Sequence, residues 1–233
     1  MTADNPTSPA KRPRKTRTSI LISGRGSNMM ALVEAARSPL YPAEIVCVIS
    51  NRPDAAGLQW AAKHGIPAIG LDHKQFATRS AFEAKLHTTL LEYGTELICC
   101  AGFMRMLTGG FIDRWRDRLL NIHPSLLPAF PGLDTHERAI EAGVRIAGCT
   151  VHFMRLEMDS GPIVGQAAVP VLSGDTADDL AARVLAAEHH LYPAALAAVA
   201  SGRARVSNEK IFLDEDINQS LALYSPALVS SGT

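Results

Sequence analysis

Short runs of apolar residues alternate with helix-like segments through the first hundred residues of this chain. Four runs are apolar almost throughout and have the length of strands: Thr18–Ser23, Glu44–Ser50, Pro67–Gly70 and Glu96–Ala101. Helical patterns separate them, the clearest of which covers Arg79 to Glu92. Strands without polar alternation are typical of a parallel sheet that is buried on both faces. The alternation therefore predicts a doubly wound, Rossmann-like α/β fold, because parallel strands are joined by right-handed helical crossovers.

The second half of the sequence has a different pattern. A strand at Leu119–His123 leads into a proline-rich loop, and a short helix follows from about His136 to Ala142. Two β-like runs, Ile146–Phe153 and Pro162–Val171, are separated by a turn and could pair as antiparallel strands. A long helix from about Thr176 to Ala200 begins with acidic residues, which suit a helix N-terminus. We expect a mostly parallel sheet with antiparallel strands in the C-terminal half.

Charge and composition divide the 233 residues into one folded domain and two tails. Residues 1–17 carry five basic side chains and one acidic side chain, with three prolines and almost nothing apolar. Such a segment cannot bury enough surface to offset its ordering entropy, so we expect it to be disordered. We place the domain at residues 18–212 and a C-terminal tail at 213–233. The basic tail is assigned no function.

Composition also excludes several classes of protein. The formal net charge is zero and aromatic residues make up 6%, which does not indicate a nucleic-acid binder. No apolar run approaches the ~18 residues of a membrane span, and no apolar region follows the basic segment as in a secretory signal. No two of the four cysteines have C-x-x-C spacing, so we expect buried thiols in a reducing, cytoplasmic compartment. Histidine spacing predicts no metal site.

The first candidate site is the turn Ser23-Gly-Arg-Gly-Ser-Asn28, between the first strand and its helix. Glycines allow the backbone to turn tightly, and the helix N-terminus adds partial positive charge, so the turn can hold a phosphate group. It lacks the third glycine of a dinucleotide fingerprint and the Gly-Lys-Ser/Thr of a P-loop. A monophosphate-bearing substrate is therefore favoured over a nucleotide cofactor. A purely steric reason for the glycines explains the turn equally well.

The second candidate site is the pair Asn121 and His123. Residues i and i+2 of a strand point to the same face, and the carboxyl ends of strands hold the sites of open α/β sheets. An amide beside an imidazole suits the stabilisation of an oxyanion, although a structural pair that caps a loop is slightly favoured from these two residues alone. Asp159 could orient His123 and favour its charged form, or simply form a turn. His152 is a weaker candidate. No serine or cysteine has the setting of a nucleophile, which favours direct transfer.

Four motifs occur in order: Ser23-Gly-x-Gly-Ser-Asn28, Ala101-Gly-Phe-Met-Arg-Met-Leu107, Asn121-Ile-His-Pro-Ser-Leu-Leu-Pro128 and Asp159-Ser-Gly-Pro162. Together they resemble the phosphoribosylglycinamide formyltransferases of the folate-dependent formyltransferase superfamily, over roughly residues 18 to 212. The resemblance implies transfer of a formyl group from 10-formyltetrahydrofolate to the amine of glycinamide ribonucleotide, through a tetrahedral intermediate. It implies small-molecule substrates, no metal, no nucleic acid and no membrane partner, in a monomer or a homodimer.

The resemblance also implies roles for individual residues. The catalytic residues would be Asn121, His123 and Asp159. The ribonucleotide would bind to Gly26, Ser27, Asn28 and Glu188. The formyl-folate would bind to Arg79, Met104, Arg105, Met106, Leu107, Asn121, Arg155, Leu156, Glu157, Met158 and Asp159. Leu127-Pro128 matches a turn that is often cis, and the mobility of the loop 129–135 is left open.

Three other interpretations remain. Methionyl-tRNA formyltransferases share the Asn-x-His-Pro-Ser-Leu-Leu-Pro core, but we expect them to need a further C-terminal domain and a basic surface. Formyltetrahydrofolate deformylases share the core as well, but they carry an additional N-terminal domain, and the Gly-Ser-Asn turn favours a phosphorylated acceptor. A non-catalytic nucleotide-binding module would explain the glycines and leave Asn121, His123 and Asp159 as coincidence.

Overall fold

The computed structural model describes residues 14–214 and residue 225. Its strands are β1 (Thr16–Ile22), β2 (Ala43–Ser50), β3 (Ala68–Gly70), β4 (Leu97–Cys100), β5 (Leu119–His123), β6 (Ile146–Phe153), β7 (Ile163–Pro170), β8 (Ala204–Ser207) and β9 (Lys210–Leu213). Its α-helices are α1 (Ser27–Ala36), α2 (Ala56–Lys63), α3 (Arg79–Glu92), α4 (Gly109–Arg114), α5 (Thr135–Glu141) and α6 (Ala177–Ala200), and a 3₁₀ turn covers His73–Gln75.

Seven strands form one sheet in the order β3-β2-β1-β4-β5-β6-β7. The first five of these are parallel to one another, and β5, β6 and β7 are antiparallel neighbours. The predicted fold class is confirmed, including the antiparallel strands of the C-terminal half. Residues Ile20 to Ile22 of β1 are fully buried, as a strand covered on both faces requires.

Helices cover both faces of the sheet and create two main cores. Met29 of α1 and Tyr192 and Leu196 of α6 pack on one face, and Phe82 and Leu86 of α3 pack on the other. Helix α6 begins at a capping box, in which Thr176 and Asp179 satisfy each other's backbone N–H groups. This long helix lies against α1, β6 and β7, so it connects the glycine-rich turn to the antiparallel half.

Several elements and boundaries differ from the sequence prediction, and most of the boundaries differ by a single residue. Helix α4 and the β8–β9 hairpin were not predicted, and β1 begins at Thr16 rather than Thr18. The rest of the predicted basic tail, residues 1–13, lies outside the described residues, as does most of the predicted tail 213–233. All four cysteines are buried and free, as predicted. No helix of the described part is long and apolar enough to cross a membrane.

Candidate active site

The turn between β1 and α1, Gly24–Asn28, is called here the glycine turn. Gly26 caps α1 with a φ of 72°, a left-handed conformation that glycine adopts without strain. Gly57 of α2 packs directly behind it, and the Gly57 N–H donates to the Gly24 carbonyl at 3.1 Å. A Cβ at Gly57 would lie 2.9 Å from that carbonyl oxygen and 2.5 Å from Ile22. The shape of the turn therefore depends on a close approach of α2.

The structure brings together two residues that the resemblance assigned to the ribonucleotide. The Asn28 amide Nδ2 donates to Glu188 Oε2 of α6 at 2.6 Å, and both side chains are buried. Burial raises the pKa of the Glu188 carboxyl, and the bond from Asn28 partly opposes that shift. Among residues 14–214, Asn28 Oδ1 is buried and has no hydrogen-bond partner. This arrangement leaves a polar atom in place for a ligand beside the glycine turn.

A cleft of about 580 Å³ opens at the glycine turn. It is lined by the whole turn with Ser23, by Asn51, Arg52 and His73 beyond β2, and by Ala101, Gly102, Met104 and Arg105 beyond β4. Four of these residues, Arg25, Arg52, Arg105 and His73, are basic side chains, which suits an anionic ligand. Asn51, Arg52 and His73 were not predicted from the sequence. Asn51 follows β2 directly, and the rule that sites lie at carboxyl ends of parallel strands could have found it.

Ser23 connects the two sides of this cleft. Its hydroxyl donates to Asn51 Oδ1 at 2.5 Å and accepts from the Met104 backbone N–H at 2.8 Å. Its own N–H donates to the Gly102 carbonyl at 3.1 Å. Residues 102–104, which lead into the segment 104–107 predicted to bind the folate, are thereby fixed to the end of β1.

Asn121 and His123 lie on the same face of β5, as their spacing predicts. Strand pairing places Leu21, Cys100, Asn121 and His152 in one row across β1, β4, β5 and β6. Two strand spacings, about 10 Å, therefore separate the end of β1 from the end of β5. Asn121 and His123 are not among the residues that line the cleft at the glycine turn.

His123 and Asp159 meet although they are far apart in the sequence. His123 Nδ1 lies 3.4 Å from Asp159 Oδ2, and their side chains are 6% and 13% exposed. His123 Nε2 donates to the Phe130 carbonyl at 3.0 Å, and Asp159 Oδ2 accepts from the Gly132 N–H at 2.7 Å. Both imidazole nitrogens thus face oxygen atoms, one of the Asp159 carboxylate and one of the Phe130 carbonyl. Asp159 itself has a φ of 49°, a conformation that is unusual outside glycine.

His152 orients the amide of Asn121. Its Nδ1 donates to its neighbour's carbonyl, Phe153 O, at 3.1 Å, and Asn121 Nδ2 lies 3.4 Å from its Nε2. Burial lowers the pKa of His152, although the nearby Asp159 opposes that shift, so the neutral ring is favoured. A neutral Nε2 accepts one N–H of the Asn121 amide and leaves the other N–H free for a ligand.

Several residues that the resemblance assigned to the folate are apolar and exposed to solvent. Met104, Met106, Leu156 and Met158 are 58–76% exposed, which is unusual for side chains of this size. Leu107 is buried in the core instead, and Arg105 lies over the Phe82 ring. Arg79 is the exposed first residue of α3, and within residues 14–214 its side chain bonds to none of the others.

Arg155 is engaged within the protein. Its Nη2 donates to Asp117 Oδ1 at 2.6 Å and its Nε donates to Glu209 Oε2 at 2.7 Å. These bonds raise the pKa of the guanidinium despite its burial. Glu157, in the same loop, accepts from the Ser160 hydroxyl through its carbonyl at 2.8 Å. In the described chain, Arg155 therefore supports the loop rather than presenting a free charge.

The loop after β5 contains the Leu127-Pro128 bond and is held against the antiparallel strands. The Leu127-Pro128 peptide bond, left open by the sequence, is cis. Gln166 of β7 donates to the Leu127 carbonyl at 2.9 Å and so connects this loop to the antiparallel strands.

Within the described residues, no group of three or more His, Cys, Asp or Glu side chains is arranged to hold a metal ion.

Comparison with known proteins places this geometry in a family. Residues 16–196 match the family model described as formyl transferase. The chain is 41% identical over 195 residues to "Phosphoribosylglycinamide formyltransferase" of Escherichia coli (strain K12), covering 84% of this chain and 92% of that protein. It is 48% identical over 194 residues to "Trifunctional purine biosynthetic protein adenosine-3" of Bos taurus, covering 83% of this chain but only 19% of that longer protein.

A solved structure agrees with the sequence matches. The crystal structure of glycinamide ribonucleotide transformylase 1 from Symbiobacterium toebii superposes with a TM-score of 0.84 at 45% identity. The alignment covers 86% of this chain and 95% of that one. The chain belongs to the formyl transferase family and, within it, to the phosphoribosylglycinamide formyltransferases.

Proposed function

We propose that this protein transfers the formyl group of 10-formyltetrahydrofolate to the amine of glycinamide ribonucleotide, a step of purine biosynthesis. The observation that carries the proposal is the placement of three features at one edge of one sheet. A glycine turn with a buried, unpartnered amide oxygen lies two strands from a His–Asp pair, and exposed apolar side chains lie nearby. The Escherichia coli relative, matched over 92% of its length, bears the corresponding name.

The ribonucleotide binds in the cleft at the glycine turn. Its phosphate accepts hydrogen bonds from the backbone of Gly26, Ser27 and Asn28, where the N-terminus of α1 adds partial positive charge. Asn28 and Glu188, already joined at 2.6 Å, hold the next part of the substrate. The amine then extends along the carboxyl edge of the sheet toward β5.

The formyl-folate binds against the segment 104–107, which follows β4, and against the loop that carries Asp159. Met104, Met106, Leu156 and Met158 offer an apolar wall that suits a flat aromatic ring system, because methionine adapts to such surfaces. Arg79 and Arg105 supply cations for the acidic part of the folate. The backbone between Arg155 and Asp159 supplies polar groups beside the wall, which gives the ring a fixed orientation.

The proposed reaction is direct attack. The amine nitrogen of the ribonucleotide forms a bond to the formyl carbon, and negative charge develops on the formyl oxygen. Asn121 and protonated His123 donate hydrogen bonds to that oxygen, and the Asp159 carboxylate supports the imidazolium. The attacking nitrogen loses a proton toward Asp159, directly or through water. The bond from the formyl carbon to the folate nitrogen then breaks, and that nitrogen takes up a proton.

The position of Phe130 adds a requirement to this mechanism. The Phe130 carbonyl accepts the His123 Nε2–H at 3.0 Å. The same N–H is the donor that the formyl oxygen needs, so substrate binding exchanges one acceptor for the other. The Phe130 carbonyl must therefore give up this hydrogen bond when the formyl oxygen binds.

Release of tetrahydrofolate, measured with and without glycinamide ribonucleotide, tests the proposal. We expect release only when the ribonucleotide is present. Release without it would instead indicate a deformylase. No release in either condition would contradict both activities, and charged initiator tRNA would then be tested as the acceptor.

A further inference from the structure

We propose that Glu209, at the tip of the β8–β9 hairpin, is a positioning residue for the loop 154–161 that carries Asp159. The inference rests on the proposed function, because it concerns the binding of the formyl donor to that loop. No part of the resemblance assigned a role to the hairpin, which lies beyond the last site residue predicted from the sequence.

Glu209 is held by two arginines at once. Its Oε2 accepts from Arg155 Nε at 2.7 Å, and its Oε1 accepts from Arg116 Nη2 at 2.5 Å. Hydrogen bonds from Arg155 and Arg116 lower the pKa of the Glu209 carboxyl. The hairpin tip is thereby joined to the turn after α4 and to the first residues of the Asp159 loop. Three separate turns meet at this carboxylate.

Arg155 transmits this connection to the loop. Its guanidinium also donates to the Met154 carbonyl at 3.0 Å, and its side chain is only 11% exposed. The loop closes over it: a Cβ at Gly161 would lie 2.9 Å from Arg155 Cγ and 2.2 Å from the Phe153 carbonyl oxygen. A shift of Arg155 would therefore move both ends of the loop, and Asp159 lies between those ends.

The backbone at Glu209 supplies an independent observation. Asn208 and Glu209 form the two-residue connection of the hairpin, with φ of 50° and 57°. Such turns favour Asn-Gly, because glycine adopts a positive φ without the steric cost that a glutamate incurs. A glutamate in this position is unfavourable for the turn itself. We therefore attribute the glutamate at this position to the contacts that its side chain makes.

Three variants separate positioning from stability. Glu209→Gln keeps the shape and removes the charge, and Glu209→Gly removes the side chain but gives the turn its preferred residue. Asp214→Asn is the matched control, because Asp214 pairs with Arg205 of the same hairpin and not with the loop. We expect the KM for the formyl donor to rise about three- to tenfold in both Glu209 variants, as for loss of a partly exposed charged hydrogen bond. The KM for the ribonucleotide and the Tm of Glu209→Gly should stay close to wild type.

Two further readouts complete the test. At an ionic strength of about 1 M, where the Debye length falls to about 3 Å, the difference in donor KM between wild type and Glu209→Gln should shrink. Amide hydrogen exchange in residues 154–161 should be faster in both Glu209 variants than in Asp214→Asn. This exchange measurement does not depend on turnover, so it tests the positioning role even if the wild type transfers no formyl group.

Unchanged donor KM and unchanged exchange in both variants would overturn the inference. A parallel rise of both KM values with a lower Tm in both would overturn it as well, since that result indicates a general loss of stability. Absence of ribonucleotide-dependent release in the wild type would contradict the proposed function, and loop exchange alone would then decide the role of Glu209.

Discussion

The glycine turn and the group formed by Asn121, His123 and Asp159 are built in different ways. The turn is backbone, fixed by buried parallel strands and by the close approach of Gly57. The polar group is made of side chains, two from one strand and one from a loop that reaches His123 Nδ1 at 3.4 Å. The first is suited to binding a constant, charged group, and the second to chemistry in which protons move. Because of this difference, we expect substitutions at the glycine turn to change mainly the KM for the ribonucleotide, and substitutions in the polar group to change mainly kcat.

The largest expected effect is at His123 and Asp159. Asp159→Asn keeps the shape and removes the charge that supports the imidazolium, and His123→Ala removes the donor itself. We expect kcat to fall about 10³-fold or more, at the upper end of what one oxyanion donor contributes. Steady-state kinetics with both substrates measure this loss, and Asp178→Asn on the exposed side of α6 is the control. A kcat within tenfold of wild type would contradict the proposed roles.

Asn121→Ala should have the next largest effect. Removal of one oxyanion donor typically lowers kcat about 10²–10³-fold. His152 would also lose the amide that now faces its Nε2 at 3.4 Å. Circular dichroism should confirm that the variant is folded, and the KM for the ribonucleotide should be nearly unchanged. Turnover close to wild type would eliminate Asn121 as a donor to the formyl oxygen.

Gly57→Ala tests the glycine turn, the other of the two places compared above. The added Cβ would meet Ile22 and the Gly24 carbonyl well inside contact distance, and neither can move freely. We expect destabilisation of about 1–3 kcal/mol, typical of overpacking, and a raised KM for the ribonucleotide with a smaller change in kcat. Gly110→Ala is the matched control, because nothing lies within 4 Å of a Cβ there. An unchanged ribonucleotide KM would show that the phosphate is not held at the glycine turn.

The smallest expected effect is a pH dependence of stability at His152. Burial lowers the pKa of this side chain in the folded protein. Below the ordinary value of about 6.5 the unfolded chain therefore takes up a proton that the folded chain does not. The free energy of unfolding should fall as the pH drops from there toward the lowered pKa, by at most about 1.4 kcal/mol per pH unit.

Urea unfolding of wild type and His152→Gln at several pH values measures this slope, with the exposed His64→Gln as the control. The His152→Gln variant should lose stability less steeply in acid than the other two proteins. Equal slopes in all three would indicate that His152 does not contribute through its protonation.

Much of the fold follows from local pattern. Helix α3 and strands β5 and β6 have the predicted bounds, because each is a single run of one periodicity between clear breaks. Helix α4 was missed because it begins with Gly109 and Gly110, which have low helix propensity. The β8–β9 hairpin was missed because its turn has a glutamate where a glycine would have marked it.

Short-range sequence patterns predicted less of the candidate site than of the fold. The glycine turn and the Asn121–His123 pair follow from short-range spacing. Asp159 was a candidate with a simple turn as the alternative, and the role of Glu188 came only from the family resemblance. The partners of Arg155 are 38 and 54 residues away in the sequence, so no motif could have connected them to it. Side chains that meet through tertiary packing leave no periodic signal, which is why the supporting contacts appear only in the folded chain.

The pairing of β5 with β6 sets a length requirement on the segment between Met154 and Asp159. Met154 N bonds to the Leu119 carbonyl at 2.8 Å, at the start of β5, whereas Asp159 must reach His123 at its end. Those four steps of β5 span about 13 Å. The five steps from Met154 to Asp159 span at most about 17 Å, and part of that reach is used by a turn. The segment from Met154 to Asp159 is therefore less than two residues longer than the shortest chain that could make both contacts. A deletion of one residue would therefore withdraw the carboxylate from the imidazole while every strand kept its register.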